Sequence, residues 1–155
     1  MTICTKDRRH YFGAVKNGKM VLSNVSVIAN LTWYEIKNHG KNVELGEFVV
    51  MPNHVHGILI LNEMAKLDPG PIVQTGHALS LKSPGQQRFQ NQEKNTVSSI
   101  IGSYKSAATK YCNRLDFEFG WQTRFYDHII RDGRAFENIS NNPAKWDLDK
   151  FYLNE

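Results

Sequence analysis

Met51-Pro52-Asn53-His54-Val55-His56-Gly57-Ile58-Leu59-Ile60-Leu61 sets the reading of the rest of the chain. The apolar run behind the second histidine reads as a buried strand. Strand side chains alternate between faces, so His54 and His56 point one way while Val55 points into the opposite layer. Upstream, Val43 to Val50 gives a second strand, joined to the first through a turn or bulge at Pro52-Asn53. Two imidazoles held side by side on a rigid strand are a clamp for a divalent metal. A bare His-x-His is as often a pair of surface or hydrogen-bonded histidines, so its meaning depends on the surroundings.

Working outward, Thr2 to Thr5 reads as a short strand, abrupt in beginning at the chain's first residues. Lys6-Asp7-Arg8-Arg9-His10 is a charged turn, a solvated loop before it is a phosphate contact. Asn17-Gly18 marks a hairpin between Tyr11-Phe12 and Met20-Val21-Leu22. Ser23 or Asn24 caps a helix to about Asn38, with Val27, Ile28, Leu31 and Tyr34 as its inward stripe. Residues 62–95, rich in Pro, Gly, Gln, Ser and Lys, form a long loop with room to move. Thr96 caps a second helix whose core stripe is Val97, Ile100, Ile101, Tyr104, Ala108, Tyr111, Cys112 and Leu115. Residues 121–130 read as a last strand, and a helical piece from Arg134 to Ser140 stops before Pro143. This order predicts an α+β fold in which an antiparallel sheet carries both helices on one face.

A chain of 155 residues with 41% hydrophobic content makes one domain, residues 1–155. The net charge of +4 suits a polyanionic partner without requiring one. Cys4 and Cys112 are too far apart for a Cys-x-x-Cys site, so neither a disulfide framework nor a zinc ribbon is indicated. The N-terminus lacks the apolar core of a signal peptide, and no apolar run approaches the ~20 residues of a membrane span. A cytoplasmic protein without a membrane partner is expected.

Three blocks stand in order: the His54/His56 strand; Ser98-Ser99-Ile100-Ile101-Gly102-Ser103-Tyr104-Lys105-Ser106 on a helix; and Trp121-x-x-Arg124-Phe125-Tyr126-Asp127-His128-Ile129-Ile130-Arg131, leading to Asn142-Pro143-Ala144-Lys145-Trp146. Together they resemble the single-tyrosine HUH transposases, in the branch of REP-associated tyrosine transposases. The resemblance spans nearly the whole chain. A histidine-triad hydrolase fits worse, since a third alternating histidine would fall at Ile58. The resemblance implies a ferredoxin-like domain in which His54 and His56, with Asn142 completing the shell, hold magnesium or manganese over a phosphate of single-stranded or hairpin DNA. A tyrosine then attacks, leaving a 5′-phosphotyrosine link and a free 3′-hydroxyl. Relatives occur as monomers or homodimers.

The tail departs from that pattern. The family tyrosine precedes the Asn-Pro by about five residues, where this chain has Asn138, and the helix is short by about four residues, roughly one turn. An amide cannot form the covalent intermediate. Of the other tyrosines, Tyr126 and Tyr152 are weak substitutes; Tyr104 and Tyr111 belong to a core stripe, and Tyr11 and Tyr34 lack supporting context. His128 reads as a hydrogen-bonded residue before a third ligand. Lys105, Lys110, Arg114, Arg124 and Arg131 form the expected DNA footprint, weighed against plain solvated surface. Two readings follow: a DNA transposase acting by metal-assisted transesterification, or a DNA-hairpin-binding remnant that cannot cut. A metal-binding domain unrelated to DNA leaves the second and third blocks unexplained.

Overall fold

In a computed structural model, which describes residues 1–39, 42–62, 96–130 and 142–152, the histidine-bearing stretch is the central strand of a sheet. The elements are β1 (Thr2–Cys4), β2 (Gly13–Lys16), β3 (Lys19–Leu22), α1 (Asn24–Tyr34), α2 (Ile36–His39), β4 (Val43–Met51), β5 (His54–Leu61), α3 (Val97–Arg114) and a 3-10 segment, Asn142–Leu148. β5 pairs antiparallel with β1 on one side and β4 on the other. The register opposes Thr2 to His56, Cys4 to His54 and Met51 to His54. One extra residue in β4, between Leu45 and Phe48, makes a bulge. β2 and β3 form a separate hairpin turned at Asn17 and Gly18, both left-handed at φ 51° and 70°.

The architecture is α+β, with α1 and α3 packed on the Val55 face of the sheet. Trp33 of α1 locks this arrangement. It stacks on Phe48 at 4.6 Å, meets Tyr104 of α3 edge-on at 5.5 Å, and lies where a Cβ on Gly57 would be. Tyr104 then donates its hydroxyl to the Ala29 carbonyl, tying the helices together. Ser23 and Thr96 accept the cap bonds from Ser26 and Ser99.

Three expectations are corrected here. The buried stripe of α1 is Val25, Ser26, Ala29, Thr32 and Trp33, whereas Val27, Leu31 and Tyr34 are exposed. Nearly every face of this helix carries apolar residues, and the fit of Trp33 over Gly57 chooses among them. Likewise Tyr111 and Leu115 of α3 are exposed. Residues 121–130 form no regular strand; they touch β1 only at bridges Thr5 to Trp121 and Thr2 to Tyr126. Between those bridges the segment has more residues than β1 has partners; Gln122 still donates its N–H to the Cys4 carbonyl at 2.9 Å, and the Gln122 and Thr123 carbonyls accept bonds from Lys105 Nζ at 2.5 and 3.1 Å. The long loop beyond residue 62, the helical piece from Arg134 to Ser140, Arg131 and Asn138 lie outside the described residues. Among the described residues no helix is long and apolar enough to cross a membrane.

Candidate metal centre

Period-two alternation puts both imidazoles on the face of β5 turned away from the helices, as their spacing predicts. Their Nε2 atoms approach to 2.9 Å. Each ring is held from behind. His54 Nδ1 meets Asn53 Oδ1 at 2.8 Å, and the same amide donates through Nδ2 to the Phe151 carbonyl at 2.9 Å. A carbonyl only accepts, so this second bond orients the amide and makes His54 Nδ1 the protonated nitrogen. The lone pair of His54 Nε2 therefore faces His56. His56 Nδ1 meets the Thr2 hydroxyl at 2.9 Å, a group that can donate or accept and so allows either tautomer.

The third member arrives from the tail. Asp149 brings Oδ2 to 3.7 Å from His54 Nε2, while its Oδ1 accepts the Phe151 N–H at 2.7 Å. His54, His56 and Asp149 thus offer three ligand atoms within 4.8 Å of one another, a group that could hold a metal ion. Burial pulls the His54 imidazole down to about 2, helped by His56, Lys150 and Arg8. His56 falls to about 4, again chiefly through burial, although Asp149 pulls it upward. Both rings are therefore neutral at physiological pH, and the approach of His54 to Asp149 is not an ion pair. Neutral imidazole is the metal-binding form.

The donor set fits a divalent ion. The two Nε2 atoms, 2.9 Å apart across a hydrogen bond, are close enough for one ion to be shared between them. Two nitrogens and a carboxylate suit manganese or iron better than magnesium. Trp146 and Phe151 flank His54 at ring separations of 6.0 and 4.9 Å. His54 is fully buried, and His56 keeps part of its surface.

The other expected site residues are placed as follows. Asn142 begins the 3-10 segment, and among the described residues no hydrogen bond joins it to either ring, whereas Asp149 of the same tail approaches His54. Tyr152 packs edge-on against Trp146 at 5.4 Å. Tyr126, opposite Thr2, is exposed. Lys105, Lys110 and Arg114 line a groove of about 820 Å³ with Trp121, away from the histidines, and Lys105 is engaged there with the Gln122 and Thr123 carbonyls. Arg124 and His128 are exposed. Thr2, Asn53 and Asp149 were missed; Asn53 beside His54 was the one legible hint.

An α+β domain with two histidines and a carboxylate gathered on the sheet face opposite its helices is the class these observations define. A protein of Haemophilus influenzae, described as an uncharacterized protein, is 32% identical to the chain over 158 residues, covering 99% of this chain and 83% of that protein. The chain belongs to the family of that protein. No family model and no solved structure matches it.

Proposed function

We propose that the chain descends from the single-tyrosine HUH transposases, in the REP-associated branch, and binds single-stranded or hairpin DNA in the cytoplasm through a divalent ion held by His54, His56 and Asp149. The facing Nε2 atoms at 2.9 Å carry this reading. With the separate β2–β3 hairpin set aside, the succession of strand, helix, two strands, helix and extended segment is compatible with a ferredoxin-like βαββαβ pattern. A bound divalent ion would draw charge from a phosphoryl oxygen during in-line displacement. Asp149 and the two rings would hold that ion, and Asn53 and Thr2 fix the rings. In the active lineage a tyrosine oxygen bonds to phosphorus while the P–O3′ bond breaks and the departing oxygen takes a proton.

Asn138 at the tyrosine's expected position favours a second reading of present activity, recognition without cutting. Incubation with manganese and a hairpin oligonucleotide, followed by denaturing electrophoresis and a parallel binding titration, separates the two. Binding without an adduct supports the remnant, binding with an adduct supports a live transposase, and absence of both rejects the lineage.

A further inference from the structure

Of the cations expected to meet DNA, Lys105, Lys110 and Arg114 lie on α3, yet the cations beside the histidines come from elsewhere. The Arg8 guanidinium stands 5.3 Å from the Phe151 ring centre, and the Lys150 ammonium stands 4.8 Å from the same ring. Phe151 is itself 4.9 Å from the His54 ring. Lys150 also lies 4.9 Å from the ring of Tyr126, which is 58% exposed. Tyr126 exchanges both backbone bonds with Thr2, at 2.7 and 2.9 Å, and so stands on the histidine face of the sheet.

Arg8 is placed with care. Asp7 and Arg8 are both left-handed, at φ 53° and 55°, a conformation that non-glycine residues seldom adopt. The turn is closed by the Arg9 N–H on the Lys6 carbonyl and by the Thr5 hydroxyl on the Arg9 carbonyl at 2.7 Å. Thr5 is also bonded through its N–H and hydroxyl to the Asn53 carbonyl, so one residue anchors both Arg8 and His54. Among the described residues, neither Arg8 nor Lys150 forms a salt bridge with a carboxylate.

Two such cations beside a candidate divalent-metal site match an oxygen-rich polyanion, and the exposed ring of Tyr126 beside Lys150 offers a face to a base. We propose that Arg8, Lys150 and Tyr126 form a nucleotide subsite next to the metal centre, the two cations holding phosphates beside the metal-held one and Tyr126 stacking under a base. This deepens the proposed function and rests on it.

The test titrates the full chain with manganese alone and with a labelled single-stranded oligonucleotide at several salt concentrations. Arg8→Ala and Lys150→Ala should each weaken oligonucleotide binding about tenfold and make the log–log salt slope shallower by about 0.7, while manganese affinity stays within about twofold and reports an intact fold. Tyr126→Leu should weaken oligonucleotide binding about tenfold and Tyr126→Phe should not, because the ring rather than the hydroxyl is used. Unchanged affinity and slope in the Arg8/Lys150 double variant would overturn the subsite alone. Parallel loss of manganese affinity would also overturn it, by showing a structural role. No oligonucleotide binding by the unaltered chain would overturn both the subsite and the function beneath it.

Discussion

Two imidazole nitrogens 2.9 Å apart in a protein interior need a proton or a cation between them. Without metal, His56 donates its Nε2–H to the lone pair of His54, and the Thr2 hydroxyl donates to His56 Nδ1. A bound ion would need the Nε2 lone pair of His56, so its proton would sit on Nδ1 and Thr2 would accept from it. Thr2→Val should therefore lower manganese affinity 10–100-fold without unfolding the chain, as measured by calorimetry. The same rings set an acid limit. An unfolded imidazole titrates near 6.5 and the folded His56 at about 4, so the folded state refuses protons that the unfolded chain accepts. Stability is thus full above pH 6.5 and falls as pH drops toward 4, by on the order of 3 kcal/mol for this ring. Urea midpoints across that range should fall, and the fall should flatten in the His54→Ala/His56→Ala double variant. A flat profile in the unaltered chain would show that the folded rings take up protons as readily as the unfolded ones.

Among the elements, α1 and the 121–126 segment show how packing overrules pattern. Val27, Leu31 and Tyr34 have the spacing of a buried stripe, but a helix apolar on several sides leaves the choice to its partner, and the partner is Gly57 beneath Trp33. Gly57→Ala should cost ~1–3 kcal/mol through overpacking, read as a shift in urea midpoint, and Trp33→Leu in the same chain should recover part of it. Lys105 likewise fills a structural duty, bonding the two carbonyls that β1 cannot pair. Lys105→Ala should lower stability by ~1–3 kcal/mol and leave oligonucleotide affinity within about threefold. A large loss of affinity at full stability would return it to the DNA footprint.

For the molecule as a whole, the facing histidines were legible because strand alternation is a local rule. The caps at Ser23 and Thr96 and the turn at Asn17-Gly18 were legible for the same reason. Asp149 was not, since no spacing links a tail carboxylate to β5; only the folded tail brings it there through the Phe151 N–H and the Asn53 amide. Asn142 was expected from family resemblance alone, with no spacing of its own to support it. The unaltered chain should form no covalent adduct with DNA, and inserting Tyr-Ile-Ile-Asn between Ser140 and Asn141 should restore one. An adduct mapped by mass spectrometry to Tyr126 or Tyr152 would reverse that expectation.

The most direct measurement is hairpin-oligonucleotide affinity with and without manganese, for the unaltered chain and for His54→Ala. Manganese should tighten binding at least tenfold in the unaltered chain and leave His54→Ala unchanged, with duplex of equal length bound more weakly throughout. Binding that is indifferent to manganese in both proteins, or equal for hairpin and duplex, would contradict a metal-centred DNA site.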